Sequence, residues 1–471
     1  MTDSSSPSVY FLGIGGTLMG SLAQLAKQMG YTVSGSDKAL YPPMSDLLAA
    51  AEIEVHEGFD PAQLEPAPDT IVIGNASLPR GHEAVEYILD RGLNYTSGAQ
   101  WLGEVVLRNR WVLAVAGTHG KTTTASMLTW ILREAGLEPG YLIGGAPVNF
   151  DQSASLGRDP FFVVEADEYD TSYFDRRSKF VHYRPRTLVL NNLEYDHADI
   201  FPDLDAIQTQ FHHLLRTVPA SGLVLTPAQD EALDEVLTMG CWSPVSRIGE
   251  APVKRPQPGD TGEQWQVRDP ARDGSAFDVY LNDENLGRIT WSLFGKHNQA
   301  NALNAIAAAR HAGVPPATSI TALSAFSGVK RRLEVLYDGE DLAVYDDFAH
   351  HPTAIRTTLE GLRKAVGSAE IVAVIEPRTH TMSLGTLRHD LSTCIAAADR
   401  VLWFRGENIK WDLAEVAQHC VVPAEVFDKH DALVQEILRL NGAGRGKKHH
   451  VVIMSNGAFG GIYDKLRAAL T

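Results

Sequence analysis

Short apolar runs recur along the chain at residues 9–12, 31–36, 70–74, 111–116, 161–164, 187–190, 342–345, 371–375, 401–404 and 451–454. A glycine or a polar residue follows each. This is the pattern of strands buried on both faces. Between them the pattern becomes helical, at residues 18–29, 125–132 and 300–312. Alternating strands and helices predict parallel sheets covered by helices, an α/β fold. Residues 277–293 break the rhythm, and FDVYLND followed by ENLGRITWSL reads as a hairpin.

At 471 residues the chain is too long for one core. The pattern divides it into three expected units: a Rossmann-like N-terminal domain (1–108), a central P-loop ATPase-like α/β domain (109–313) and a C-terminal Rossmann-like α/β domain (314–471). No repeat or low-complexity segment interrupts them.

Chemistry concentrates where strands end. The run at 111–116 stops at Gly117, and THGKTTT follows before the helical pattern resumes. Strand, glycine loop, Lys-Thr and helix is the context of a phosphate-binding loop. Glycines let backbone N–H groups converge on an anion, and the new helix adds its N-terminal partial charge. Lys121 would reach the β- and γ-phosphates, and the Thr122 hydroxyl would ligate Mg²⁺. The loop is a short form, because Val115 stands where the general pattern has its first glycine.

A second glycine loop opens the chain, with Gly13, Gly15, Gly16 and Gly20 after the first strand and Asp37 at the end of the next. It is similar to a dinucleotide fingerprint, except that Leu18 replaces the third glycine. A dinucleotide, another phosphate ligand or a structural turn all remain open. Gly15, Gly16, Thr17, Asp37 and Asn75 are its candidate substrate-binding residues. In the central unit, Glu165 opens an acidic strand end (EADEYD) suited to Mg²⁺, and NNLEYDH ends the next strand at His197. In the last unit the strand ends carry DDFAHHP, EPR and SNGAFGG.

Composition narrows the partners. The net charge of −17, from 41 basic and 58 acidic side chains, argues against a nucleic-acid partner. The three cysteines form no C-x-x-C pair, so no disulfide framework or zinc site is expected. The first residues lack the basic and apolar regions of a signal peptide, and no 18-residue apolar run occurs. A cytoplasmic enzyme without a membrane partner, a monomer or weak dimer, is expected.

Taken together, GTHGKTTT, EADE, NNLEYDH, GKHNQANALNAIAAA, GVKRRLE and YDDFAHHPT resemble, in order and spacing, the Mur ligases. These are ATP-dependent amide-bond-forming enzymes of peptidoglycan assembly. The resemblance spans essentially the whole chain. GIGGTLMG and GSD resemble members that bind UDP-N-acetylmuramate. YPPMSDLL, SKFVHYRPRTLVLNNLEYDHADIF, EPRTHTMSLG and MSNGAFGGI resemble members whose amine substrate is L-alanyl-γ-D-glutamyl-meso-diaminopimelate. The implied reaction joins the lactyl carboxylate of UDP-N-acetylmuramate to that amine through an acyl phosphate, in peptidoglycan recycling. L-alanine is the alternative amine.

The resemblance also implies roles. Gly117, Thr118, His119, Gly120, Lys121, Thr122 and Thr123 would bind the ATP phosphates. Thr122 and Glu165 would hold one Mg²⁺ and His197 a second. His297 and Asn298 would meet the adenine. Arg332 would reach the phosphates from the third unit, with Asp347 and His350 on the nucleotide side of the cleft. Lys121, His197 and Arg332 are the expected catalytic set. Some family members bridge their metals with a carbamylated lysine, but the segment 198–215 contains none. Arg378 suits a substrate carboxylate, because guanidinium binds one at two points. Asn456 would contact peptide groups.

Overall fold

The computed structural model describes the chain except residues 1–5, 42–43, 75–77, 151, 159, 250, 254–255, 443–446 and 471. The apolar runs form three sheets. The first is all parallel, in the order Glu54–Glu57, Thr32–Asp37, Ser8–Leu12, Thr70–Ile73 and Tyr95–Ser97. The order reverses at Ser8–Leu12, the strand that feeds the first glycine loop. Such a reversal opens a crevice at the strand ends.

The central sheet has ten strands. Its middle runs Leu223–Pro227, Thr187–Leu190, Trp111–Ala116 and Phe161–Glu165, all parallel. Alternation sets the faces. Val112, Ala114 and Ala116 pack with Phe211 and Leu233 of helices Leu204–Leu215 and Glu231–Thr238. Leu113 and Val115 pack with Met127 and Leu303 of helices Lys121–Glu134 and Lys296–His311. The hairpin expected at 277–293 is present as Ala276–Leu281 and Glu284–Thr290, paired antiparallel. It extends the same sheet through Asp260–Arg268.

The third sheet is parallel in the order Leu342–Asp347, His449–Met454, Glu370–Ile375, Arg400–Phe404 and Ala424–Phe427. An antiparallel edge strand, Glu334–Asp338, is an addition to the expected pattern. Its apolar run, Val335, Leu336 and Tyr337, is only three residues long and is exposed or half-buried.

One stretch packs differently from its expected unit. Helix Pro316–Ser324 contributes Ile320 and Leu323 to the core that holds Met127 and Leu303. Val329 is bridged to Pro147 of the central unit. Residues 314–329, assigned to the third unit by the sequence pattern, therefore lie against the second. The chain crosses over at Arg331–Leu333, where Arg331 and Leu333 have positive φ.

Candidate functional site

The second glycine loop is held open by its neighbours. Asn192 accepts the His119 N–H at 2.8 Å through its side chain and the Thr118 N–H at 3.2 Å through its carbonyl. Gly120 has φ +81°, and a Cβ there would lie 2.6 Å from Asn301 Oδ1. Only glycine fits. No side chain caps helix Lys121–Glu134 at Gly120, so the helix start remains available to an anion.

The sequence-predicted residues converge in two steps. The Thr122 hydroxyl donates to Glu165 at 2.8 Å, and the Gly144 N–H donates to the other Glu165 oxygen at 2.7 Å. Lys121 Nζ donates to the Gly117 carbonyl at 2.7 Å and to Glu168 at 2.8 Å. His197 Nε2 lies 3.0 Å from the other Glu168 oxygen. Burial pushes the Lys121 pKa down, but Glu168 and Asp167 outweigh it and raise it. Burial likewise works to raise the Glu168 pKa, and Lys121 and His197 lower it on balance. The ammonium and carboxylate therefore face each other charged.

Glu168 was not singled out from the sequence, although it sits inside EADE. Its neighbour Asp167 pairs with Lys179 at 2.7 Å. Ligand atoms of Asp167, Glu168 and His197 lie within 4.8 Å of one another. Glu194 and His351 also escaped notice inside their motifs. Glu194 stands 3.4 Å from both His119 and His351. Burial raises the Glu194 carboxyl, but hydrogen bonds from His119 and Thr353 and the nearby rings bring it down to about 2.

A cavity of about 720 Å³ lies where the three units meet. The first unit contributes Thr17 and Leu18. The central unit contributes the phosphate loop, Glu165 and His197. The third contributes Arg332, His350, Arg378 and Asn456. The Asn456 Oδ1 is buried without a hydrogen-bond partner among the described residues. The Arg378 guanidinium rests against the bare Cα of Gly457.

A second cavity of about 460 Å³ shares His119, Gly120 and Arg332 with the first. Thr123, His297, Asn298 and Asp347 line it, with Leu293, Phe294 and Val335 as apolar walls. Burial, and then Arg332, hold His297 down to about 4. Asp347 accepts the N–H groups of Leu333 at 2.9 Å and Ala349 at 2.8 Å, so it also shapes the turn that carries Arg332. Arg331 is tied to Asp346 and to the carbonyls of Ser455 and Gly457. That leaves Arg332 projecting over the Phe348 ring, 5.0 Å from its centroid.

His350 lines the larger cavity together with the phosphate loop, and Asp347 lines the smaller one. The His350 Nδ1 bonds the Phe348 carbonyl at 2.8 Å and fixes the ring on the side of the larger cavity. In the first unit, Asp37 accepts the Gly15 N–H at 2.8 Å and the Lys38 N–H at 2.8 Å. Of the candidate substrate residues of this loop, Thr17 lines the cavity, whereas Gly15, Gly16 and Asp37 do not. Asn75 lies outside the described residues.

Comparisons with known proteins cover the same three units. Residues 8–110 match the Mur ligase family catalytic domain, 115–309 the Mur ligase middle domain, and 331–457 the Mur ligase glutamate ligase domain. A UDP-N-acetylmuramate–L-alanyl-gamma-D-glutamyl-meso-2,6-diaminoheptandioate ligase of Escherichia coli (strain K12) is 51% identical over 459 residues, covering 97% of each chain. A UDP-N-acetylmuramate–L-alanine ligase of Arthrobacter sp. (strain FB24) is 33% identical over 396 residues, 84% of this chain and 80% of that one. Among solved structures, a murein peptide ligase from Psychrobacter arcticus 273-4 superposes with a TM-score of 0.74 at 45% identity, covering 99% of each chain.

Proposed function

We infer the reaction from one premise: the chain belongs to the Mur ligase family. It is a ligase that joins the lactyl carboxylate of UDP-N-acetylmuramate to the amine of L-alanyl-γ-D-glutamyl-meso-diaminopimelate, consuming ATP and releasing ADP and phosphate. The observation that carries this reading is the meeting of three units around one cavity, in a chain 51% identical throughout to a ligase of that printed name.

Each unit would bring one substrate. Gly15, Gly16, Thr17, Asp37 and Asn75 would receive the sugar nucleotide at the first glycine loop. The loop from Gly117 to Thr123 would cradle the ATP phosphates, with the adenine in the smaller cavity against His297 and Asn298. Arg378 and Asn456 would hold the acidic peptide. No helix among the described residues is long and apolar enough to cross a membrane, and both nucleotide substrates point to the cytoplasm.

The residues present fit a magnesium ion. Thr122 and Glu165 offer hard oxygens 2.8 Å apart, the donor type this ion selects. They would hold one ion, and His197 beside Glu168 a second. A magnesium ion so held would supply neutralisation of the phosphate charge.

The chain's own groups answer a charge problem. A carboxylate and a triphosphate repel each other. Lys121, anchored by the Gly117 carbonyl and Glu168, and Arg332, placed by the tethered turn beside it, bring cations to one cavity from the central and the third unit. The carboxylate oxygen attacks the γ-phosphorus and ADP leaves. The peptide amine then attacks the acyl carbon and phosphate departs. Closure of the third unit excludes water from the acyl phosphate.

The test is phosphate release with UDP-N-acetylmuramate, ATP and Mg²⁺, with the tripeptide or with L-alanine. Release with the tripeptide alone is expected. Release only with L-alanine would assign the chain to the L-alanine-adding members.

A further inference from the structure

The turn that carries His197 is strained. His197 has φ +57°, a left-handed conformation that a residue with a Cβ adopts only when its surroundings impose it. Its own unit holds the turn through the Ile200 and Phe201 N–H groups, which donate to the His197 carbonyl at 3.0 Å, and another unit adds to it. Asp196 Oδ1 accepts the His197 N–H at 2.7 Å and the Thr381 hydroxyl at 2.8 Å. The same Thr381 oxygen accepts the Ala198 N–H at 3.2 Å. One hydroxyl of the third unit therefore clasps both sides of His197. Thr381 and Asp196 are both buried.

The clasp has a continuous route in each direction. Inward, His197 meets Glu168, and Glu168 holds the Lys121 ammonium. Outward, Thr381 lies in helix His380–Ser383, three positions beyond Arg378. That helix is capped by the Thr379 hydroxyl, which accepts the Met382 N–H at 3.2 Å. Trp411 Nε1 fixes its far end by donating to the Met382 carbonyl at 2.8 Å. The residue that would hold the peptide and the clasp on His197 thus sit three positions apart on one anchored segment.

We propose that Thr381 is a positioning residue: its hydroxyl lets docking of the third unit set the His197 turn and, through Glu168, the Lys121 ammonium. This rests on the ligase reading above and deepens it. Arrival of the peptide-binding segment then completes the phosphate site, so phosphoryl transfer is coupled to closure.

The experiment compares Thr381→Val and Thr381→Ser in the full chain. Valine keeps the shape and removes the hydroxyl, while serine keeps the hydroxyl. Thr381→Val is expected to lower kcat about 10- to 100-fold, the cost of a small misplacement of reacting groups. It should leave the KM for UDP-N-acetylmuramate within about twofold of wild type, because the hydroxyl removed is engaged with Asp196 and Ala198 rather than with that substrate. Thr381→Ser is expected within about threefold of wild type in kcat, since the hydrogen bonds persist. A readout independent of turnover is Mn²⁺ binding in the presence of ADP, followed by loss of the free-ion EPR signal. It should weaken in the valine variant and recover in the serine variant.

Wild-type kcat and Mn²⁺ binding in Thr381→Val would overturn the proposal. So would equal impairment of both variants, which would make the site one of packing alone. Kinetics are run with whichever amine wild type consumes. If it consumes neither, the ligase reading fails, and the Mn²⁺ comparison still decides the role of Thr381.

Discussion

Two glycine loops in this protein have the same local plan and opposite electrostatics. Each follows a buried parallel strand, Ser8–Leu12 or Trp111–Ala116, and each opens a helix without a side-chain cap. In the first, Asp37 reaches across from the neighbouring strand and takes the Gly15 N–H, while Ser36 takes those of Gly13 and Ile14. The loop's donors are largely consumed, and an acid stands beside them. In the second, Lys121 stands at the helix start and Asn192 pins the loop at Thr118 and His119. A cation stands there, and the helix start is uncapped. Strand–loop–helix geometry alone thus does not set the charge of such a site; the side chains that cross into it do. On the ligase reading the second loop would hold the ATP phosphates, and the first would hold the sugar nucleotide.

Breaking the stronger site should have the largest effect. Lys121→Ala is expected to cut ATP-dependent phosphate release about 1,000-fold, on the scale of losing a charge-stabilising group, with the circular dichroism spectrum unchanged. Adding Glu168→Gln should recover stability lost by stranding a buried carboxylate, without recovering activity. Recovered activity would mean that Lys121 serves mainly to neutralise Glu168.

A smaller effect is expected at the first loop. Asp37→Ala leaves the Gly15 N–H without its acceptor and should lower unfolding stability by about 1–2 kcal/mol, while raising the KM for UDP-N-acetylmuramate. Asp37→Asn keeps an accepting oxygen and should preserve the melting temperature. A lower KM in Asp37→Asn than in wild type would show that the carboxylate repels the sugar nucleotide's diphosphate.

The smallest effect is a pH slope in the region around the second loop. Burial holds His297 and His350 down to about 4, from an ordinary 6.5. The unfolded chain takes up these protons as pH falls below 6.5, and the folded chain does not until about pH 4. Their contribution to stability is therefore complete above pH 6.5 and declines as pH falls toward 4. The melting temperature should drop by a few degrees across that window, and His297→Gln should flatten the drop. An unchanged slope in that variant would place the acid sensitivity elsewhere.

Much of the site was legible in the order of residues. The Thr122–Glu165 contact follows from a phosphate loop beside an acidic strand end. The strand at 161–165 neighbours Trp111–Ala116 in the sheet, and Glu165 pairs with Val115, two positions before the loop begins. The motif EADE contained Glu168, but nothing local separates its carboxylate from those of Glu165 and Asp167. Only burial against Lys121 does so. His350 and His351 are adjacent and identical, yet one faces the larger cavity and the other caps a helix and meets Glu194. Their backbone at the start of helix Pro352–Val366 decides which is which.

The sequence by itself determined the rhythm of strands and helices, the three-sheet plan, the two glycine loops and the family of chemistry. Those features depend on each residue's own tendency to be buried or solvated, and on partners a few positions away. The tertiary structure alone decided that Lys121 meets Glu168 across 47 positions and that Thr381 meets Asp196 across 185. It also decided that helix Pro316–Ser324 joins the central core. These contacts depend on strand order, on the crossover at Arg331–Leu333 and on the docking of one unit against another. No local pattern encodes them, because a side chain's distant partner is set by how whole sheets are placed.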